Sequence, residues 1–211
     1  MNAGKRLSLT ILFACCALTL LAQDEVIKVM YQGERPTISD FVEAYLFAPV
    51  EGDQDEDMWV DESTNAVKQA WIRHRDGIPQ PEGVTLTIDK KNGFILYESR
   101  QDEYLTRVEM CYWNEADGKH MLFALNTGLY KNGRKSMGQY DGISFYRYDN
   151  AARTMTFCDD PGFQQEFYTE DGATVSYDLP RSGKDIKVTY WYDDGSKKQK
   201  TLKWAGNGFS L

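Results

Sequence analysis

From Val84 onward the chain alternates apolar and polar residues with a period of two, the signature of half-buried β-strands. In "VTLTIDKKNGFILYES", Val84, Leu86 and Ile88 alternate with polar positions, and Asn92-Gly93 reads as a two-residue type I′ hairpin turn. "LTRVEMCYW", "KHMLFAL", "GISFYRY", "RTMTFC", "ATVSYDL", "DIKVTYWY" and "KKQKTLKW" continue the pattern. The spacers between them are turn chemistry: "NEADG", "NTG", "KNGRKSMG", "DNAA", "DDPG", "PRSGKD" and "DDGS". Consecutive strands with short connections pair antiparallel. Such a meander must roll up or fold over to bury one face, as a sandwich, a barrel or a sheet covered by helices.

Before residue 78 the period is helical. "TISDFVEAYLF" opens on Thr37 or Ser39 as N-cap, carries Asp40 in its first turn, and is stopped by Pro49. "DESTNAVKQAWIRHRDG" starts at Asp61 or Ser63, repeats Val67, Ala70, Trp71 and His74 at helical spacing, gathers Arg73 and Arg75 in its last turn, and ends at Gly77. The expected fold is mainly β, α+β at the margin: an antiparallel meander with two short N-terminal helices. The expected layout is an N-terminal arm or strand at 23–36, a helical segment at 37–77 containing an acidic loop at 51–62, and the β domain at 78–211. Residues 37–211 are expected to form one folded unit.

The first 22 residues change the setting. Lys5 and Arg6 precede an apolar run from Leu7 to Leu21, followed by Ala22-Gln23-Asp24, the layout of a secretory signal peptide. The run is shorter than the roughly 20 residues of a membrane-spanning helix, and no later stretch approaches that length, so no transmembrane helix is expected. "LFAC" also resembles a bacterial lipoprotein processing box, which would make Cys15 a lipid-bearing N-terminus. The apolar "CALTLLA" that follows favours cleavage after Ala22. Either route takes the protein out of the cytoplasm, to the periplasm or beyond. Loss of residues 1–22 removes two bases and no acid, so the formal charge moves from −8 to −10. That balance disfavours a nucleic-acid partner.

Candidate chemistry is sparse. Asp53, Asp55 and Asp57 match positions one, three and five of a helix-flanked calcium loop. Met58 stands where that loop needs Gly, and Thr64 where it needs a bidentate Glu. A solvated acidic connector is the plainer description, with a weak calcium site of another kind as the alternative and no other cofactor implied. Cys111 and Cys158 remain after the leader is removed, and an oxidising compartment makes a disulfide between them as reasonable as two buried thiols. His74 and His120 have no nucleophile paired with them in sequence, and the local motifs of serine, zinc and nucleotide-binding enzymes are absent. Two-carboxylate glycosidase chemistry needs only a suitable separation; Asp89, Glu98, Glu109, Asp141 and Asp149 are the acids on strands or turns, each more simply a solvent-facing charge.

Aromatic residues supply the remaining signal. Trp113 falls on the polar face of its strand with Arg107, Glu109 and Cys111, and Trp191 falls opposite Ile186, Val188 and Tyr190. Tyr146 and Tyr148 oppose Ile143 and Phe145. Rings on an open polar face stack on sugars or anchor a protein partner, whereas a covering sheet or helix turns the same rings into core. The polar stretch 130–142, with Lys131, Arg134 and Lys135, reads as a long loop. The functional expectation is therefore an exported, non-catalytic β-rich module that binds a glycan or an envelope protein through Trp113, Trp191, Tyr146 and Tyr148. A carboxylate-dependent polysaccharide hydrolase and a structural subunit of an envelope assembly are the alternatives. The oligomeric state is not legible.

Overall fold

The computed structural model describes residues 26–49, 62–138 and 141–210. The leader with Cys15, and the acidic loop with Asp53, Asp55 and Asp57, lie outside the described residues.

Two helices precede the sheets. α1 (Ile38–Leu46) is set by Asp40, whose carboxylate accepts the Thr37 backbone N–H at 2.7 Å and satisfies a donor the helix cannot. Its buried stripe is Ile38, Phe41, Val42 and Leu46. α2 (Glu62–Arg75) ends at Gly77, which takes φ +69°. The Gly77 N–H donates to the His74 carbonyl (3.2 Å) and the Ile78 N–H to the Arg73 carbonyl (2.8 Å), closing the last turn. Trp71 Nε1 donates to Glu43 Oε2 at 2.5 Å and ties the helices together.

The strands are β1 (Ile27–Lys28), β2 (Val84–Asp89), β3 (Phe94–Gln101), β4 (Tyr104–Asn114), β5 (His120–Lys131), β6 (Arg134–Ser136), β7 (Gly142–Asp149), β8 (Thr154–Phe157), β9 (Thr174–Asp178), β10 (Ile186–Trp191), β11 (Lys197–Trp204) and β12 (Phe209–Ser210). The larger sheet runs β1-β8-β7-β5-β4-β3-β2, with β6 also on β5, and every pairing is antiparallel. It curls into a half-barrel. The smaller sheet runs β12-β11-β10-β9. Among the described residues no helix is long and apolar enough to cross a membrane.

The larger sheet is buried on both sides. On its concave face, Ile95, Val108, Met110, Phe123 and Tyr148 pack under the helices, with Phe41 5.1 Å from the Tyr148 ring. On its convex face, Phe94, Cys111, Trp113, Leu122, Ile143 and Phe145 meet Val175, Tyr177, Ile186, Val188, Leu202 and Phe209, largely from the smaller sheet. Period-two alternation therefore separates two cores along β4, not core from solvent.

Three local readings are corrected. Asn92-Gly93 does not make a two-residue turn: Asp89 pairs with Phe94, leaving a four-residue loop in which Gly93 alone has positive φ. The Asp89 carboxylate holds that loop by accepting from the Asn92 N–H (3.1 Å) and Nδ2 (2.9 Å). The two-residue turn occurs at Asn132-Gly133, both with positive φ, between the paired Lys131 and Arg134. "NTG" is no turn either; Thr127 lies inside β5, paired with Val108 and Gly142. The stretch 130–142 thus contains the end of β5 and all of β6.

Replacing Trp113 by Ala is expected to cost about 3–5 kcal/mol, because the ring fills the space between the sheets. Urea unfolding followed by circular dichroism measures it; a cost below about 1 kcal/mol would mean that the convex face is open.

Candidate functional site

The four aromatic residues expected to form a platform do not share one. Trp113 is 3% exposed; its Nε1 donates to the Lys184 carbonyl at 2.8 Å, and its ring stacks on Trp204 at 5.7 Å. Tyr148 is fully buried on the opposite face of the sheet, its hydroxyl 3.3 Å from that of Tyr31. Tyr146 is half-buried on that same concave face, 5.4 Å from the Tyr45 ring. Trp191 is half-buried: Nε1 donates to Ser176 Oγ (2.8 Å), Lys197 Nζ sits 3.8 Å over the ring, and the ring of Tyr130 lies 6.3 Å away. The covering layers, which sequence alternation cannot reveal, convert Trp113 and Tyr148 to interior packing and leave Tyr146 and Trp191 half-covered.

Cys111 and Cys158 are both free and buried. They occupy one row across the sheet: Cys111 pairs with Ala124, Ala124 with Phe145, and the Cys158 N–H bonds the Phe145 carbonyl. Three strand spacings separate them by about 14 Å, and a disulfide tolerates at most about 7 Å between Cα atoms. Of the two alternatives, bridge or buried thiols, the register leaves the buried thiols.

The densest charge cluster joins the sheets. Glu109 is 2% exposed and accepts from Arg107 Nη2 (2.8 Å), the Leu179 N–H (2.9 Å) and Asn126 Nδ2 (3.2 Å). Arg107 also reaches Asp178 on β9 (3.3 Å) and lies 3.8 Å from Glu98. Burial raises the Glu109 carboxyl above its ordinary range, against the pull of Arg107. The remaining acids are also engaged. Asp89 meets Arg181 at 2.9 Å, Asp149 Oδ1 caps the 150–153 turn, and Asp141 accepts from Lys135.

Glu115, Asp117 and His120 bring three metal-type ligand atoms within 4.8 Å of one another. Each is accounted for by protein contacts. Glu115 accepts from Arg147 Nε (2.8 Å), and Asp117 accepts from the Lys119 and His120 N–H groups and pairs with His120 Nδ1 at 2.5 Å. The cluster fastens the β4–β5 turn.

Among the described residues, the mouth of the half-barrel stays open. A trough of about 370 Å³ is lined by Ser99 and Gln101 of β3, Tyr104 and Thr106 of β4, Thr127 and Leu129 of β5, and the first turn and a half of α2. These positions continue the concave parity of Ile95 and Tyr97 on β3, and of Val108 and Met110 on β4, but beyond the helices the side chains become hydroxyls and amides. At the floor, Asp141 accepts from the Leu129 N–H (2.8 Å), the Gly138 N–H (2.7 Å) and Lys135 Nζ. Burial lowers the Lys135 pKa, opposed by Asp141. Both side chains are 4% exposed, so the pair presents no net charge. Sequence reading missed the trough, although the apolar-to-polar change at fixed parity on adjacent strands was visible.

Comparison with protein-family models, with curated proteins and with solved structures finds no match to this chain.

Asp117 is held down to about 2 by hydrogen bonds from the Lys119 backbone and from His120, and Asp89 to about 2 by Asn92 and Arg181. Folded values below the ordinary 3.8 mean that the native state binds fewer protons than the unfolded chain. Their stabilisation is complete above that value and is lost as pH falls through about 2. Carbon-detected NMR titration should find both carboxyls ionised at pH about 3 and Glu109 titrating above the usual glutamate range; the reverse order would contradict the hydrogen-bonding scheme.

Proposed function

We propose that the protein is an exported, non-catalytic binding module that takes a glycan in the trough at the mouth of the half-barrel. The observation that carries this reading is the lining itself: hydroxyls of Tyr97, Ser99, Tyr104, Thr106 and Thr127 and the Gln101 amide around about 370 Å³. Neutral donors and acceptors set on rigid strands suit a polyhydroxyl ligand, and they suit it better than the apolar anchors of a protein interface. Tyr104, 38% exposed at the rim with Lys131 Nζ 5.0 Å over its ring, offers the other ring face for stacking. The basic, then apolar, then small-residue order of the first 22 positions supports export.

Binding is favoured over two-carboxylate hydrolysis because the carboxylate among the described lining residues, Asp141, already accepts three hydrogen bonds. Glu109, the acid with the raised pKa, is enclosed between the sheets.

Ser99→Trp fills the trough from a half-buried position. Calorimetric titration of the purified chain with a panel of oligosaccharides should show wild-type binding and a loss of about tenfold or more in the variant, roughly 1.4 kcal/mol. The thermal midpoint should stay within a few degrees. Unchanged glycan affinity in the variant, or no wild-type binding to any oligosaccharide, would contradict the reading.

A further inference from the structure

The floor of the trough contains two side chains whose burial and hydrogen bonding do not match. Tyr97 is 3% exposed and Thr127 is 7% exposed. Neither hydroxyl has a hydrogen-bond partner among the described residues. Among the described residues, the side-chain atoms that are both sealed and unpartnered are Gln80 Oε1 and Arg107 Nε, neither of which lines the trough. The Tyr97 and Thr127 oxygens are not among the sealed atoms, so each keeps contact with open space although its residue is more than nine-tenths buried, and the trough is the open space that both residues line. An interior hydroxyl without a protein partner is rare, because leaving it unpaired costs free energy unless water or a ligand completes it.

The surroundings add a second constraint. Asp141 and Lys135 neutralise each other at the same floor, and the other described lining residues carry no formal charge. Among the described residues the nearest other cation is Lys131 at the rim, 5.0 Å over the Tyr104 ring and paired with Glu103 at 2.7 Å, so no unpaired cation meets an anionic ligand there, and the chain as a whole is acidic.

Resting on the glycan reading, we infer that Tyr97 and Thr127 are the residues that recognise the ligand, pairing with hydroxyls of an uncharged glycan, while the lack of an unpaired cation around them disfavours sugars that bear carboxylates. Both lie on strands in the middle of the sheet, Tyr97 between Leu86 and Val108, and Thr127 between Val108 and Gly142. Their positions are fixed before a ligand arrives, so binding orders no loop to make these contacts.

The test uses Tyr97→Phe and Thr127→Val, which remove only the hydroxyl function and keep the packed shape. Ser99→Trp serves as the blocked control. Neutral gluco-, manno- and xylo-hexasaccharides and a hexagalacturonide are titrated into each purified chain by calorimetry. Each hydroxyl deletion should weaken the best neutral ligand about fivefold with little change in thermal midpoint. The hexagalacturonide should bind the wild type at least about tenfold more weakly than that neutral ligand. If Ser99→Trp abolishes binding while both deletions bind like wild type, or the uronide binds as tightly, this inference fails and the trough reading stands. If Ser99→Trp binds normally, the trough reading fails with it.

Discussion

Arg107 is the guanidinium on which the layering depends. It leaves the convex face of β4 beside Glu98 and Glu109 and crosses to Asp178 on β9, where Lys187 makes a second contact at 3.1 Å. Glu109 beneath it is closed off from water and also accepts from the Leu179 backbone, the first residue after β9. A buried carboxylate of this kind is costly unless every lone pair is used. Here the partners come from both sheets, so the charge is satisfied only when the smaller sheet is docked. The network fixes where β9 lies, and the apolar contacts around Trp113 supply the area that holds it there.

Docking on the convex face decides which surfaces remain for function. Once the smaller sheet covers Trp113, Cys111 and Phe145, and α1 covers Tyr146 and Tyr148, the polar end of the concave face remains open among the described residues. Two short helices cannot span the whole curl: α1 is nine residues and α2 fourteen, about 14 and 21 Å at 1.5 Å per residue. The apolar residues of β3, β4 and β5 lie under them, and the hydroxyls lie past them. The same boundary that ends the core begins the trough.

Much of the fold was legible because local chemistry and global packing agree. Asp40 and Gly77 bracket the helices as their residue types require, and the strand pattern from Val84 to Trp204 maps closely onto nine of the strands. The failures have specific causes. Asn-Gly occurs three times, and two of these follow a lysine; the Asp89 side chain claims Asn92-Gly93, and the two-residue turn falls at Asn132-Gly133. Thr127-Gly128 looked like a turn because glycine interrupts strands, yet Gly128 sits with the Tyr130 ring where a Cβ would come within 3.1 Å. Arg107 and Glu109 looked solvent-facing because charge on one face of a strand normally is. Alternation separates two faces without saying what covers either, so Trp113 could not be assigned to core or to platform from its parity alone.

Hydroxyl-radical footprinting of the folded chain, with and without a neutral hexasaccharide, tests the central claim that the convex face is interior and the concave mouth is the binding surface. The account predicts fast oxidation of Tyr104, suppressed when the sugar is present, and almost none at Trp113 in either state. Ready oxidation of Trp113, or protection of Trp113 in place of Tyr104 by the sugar, would contradict it.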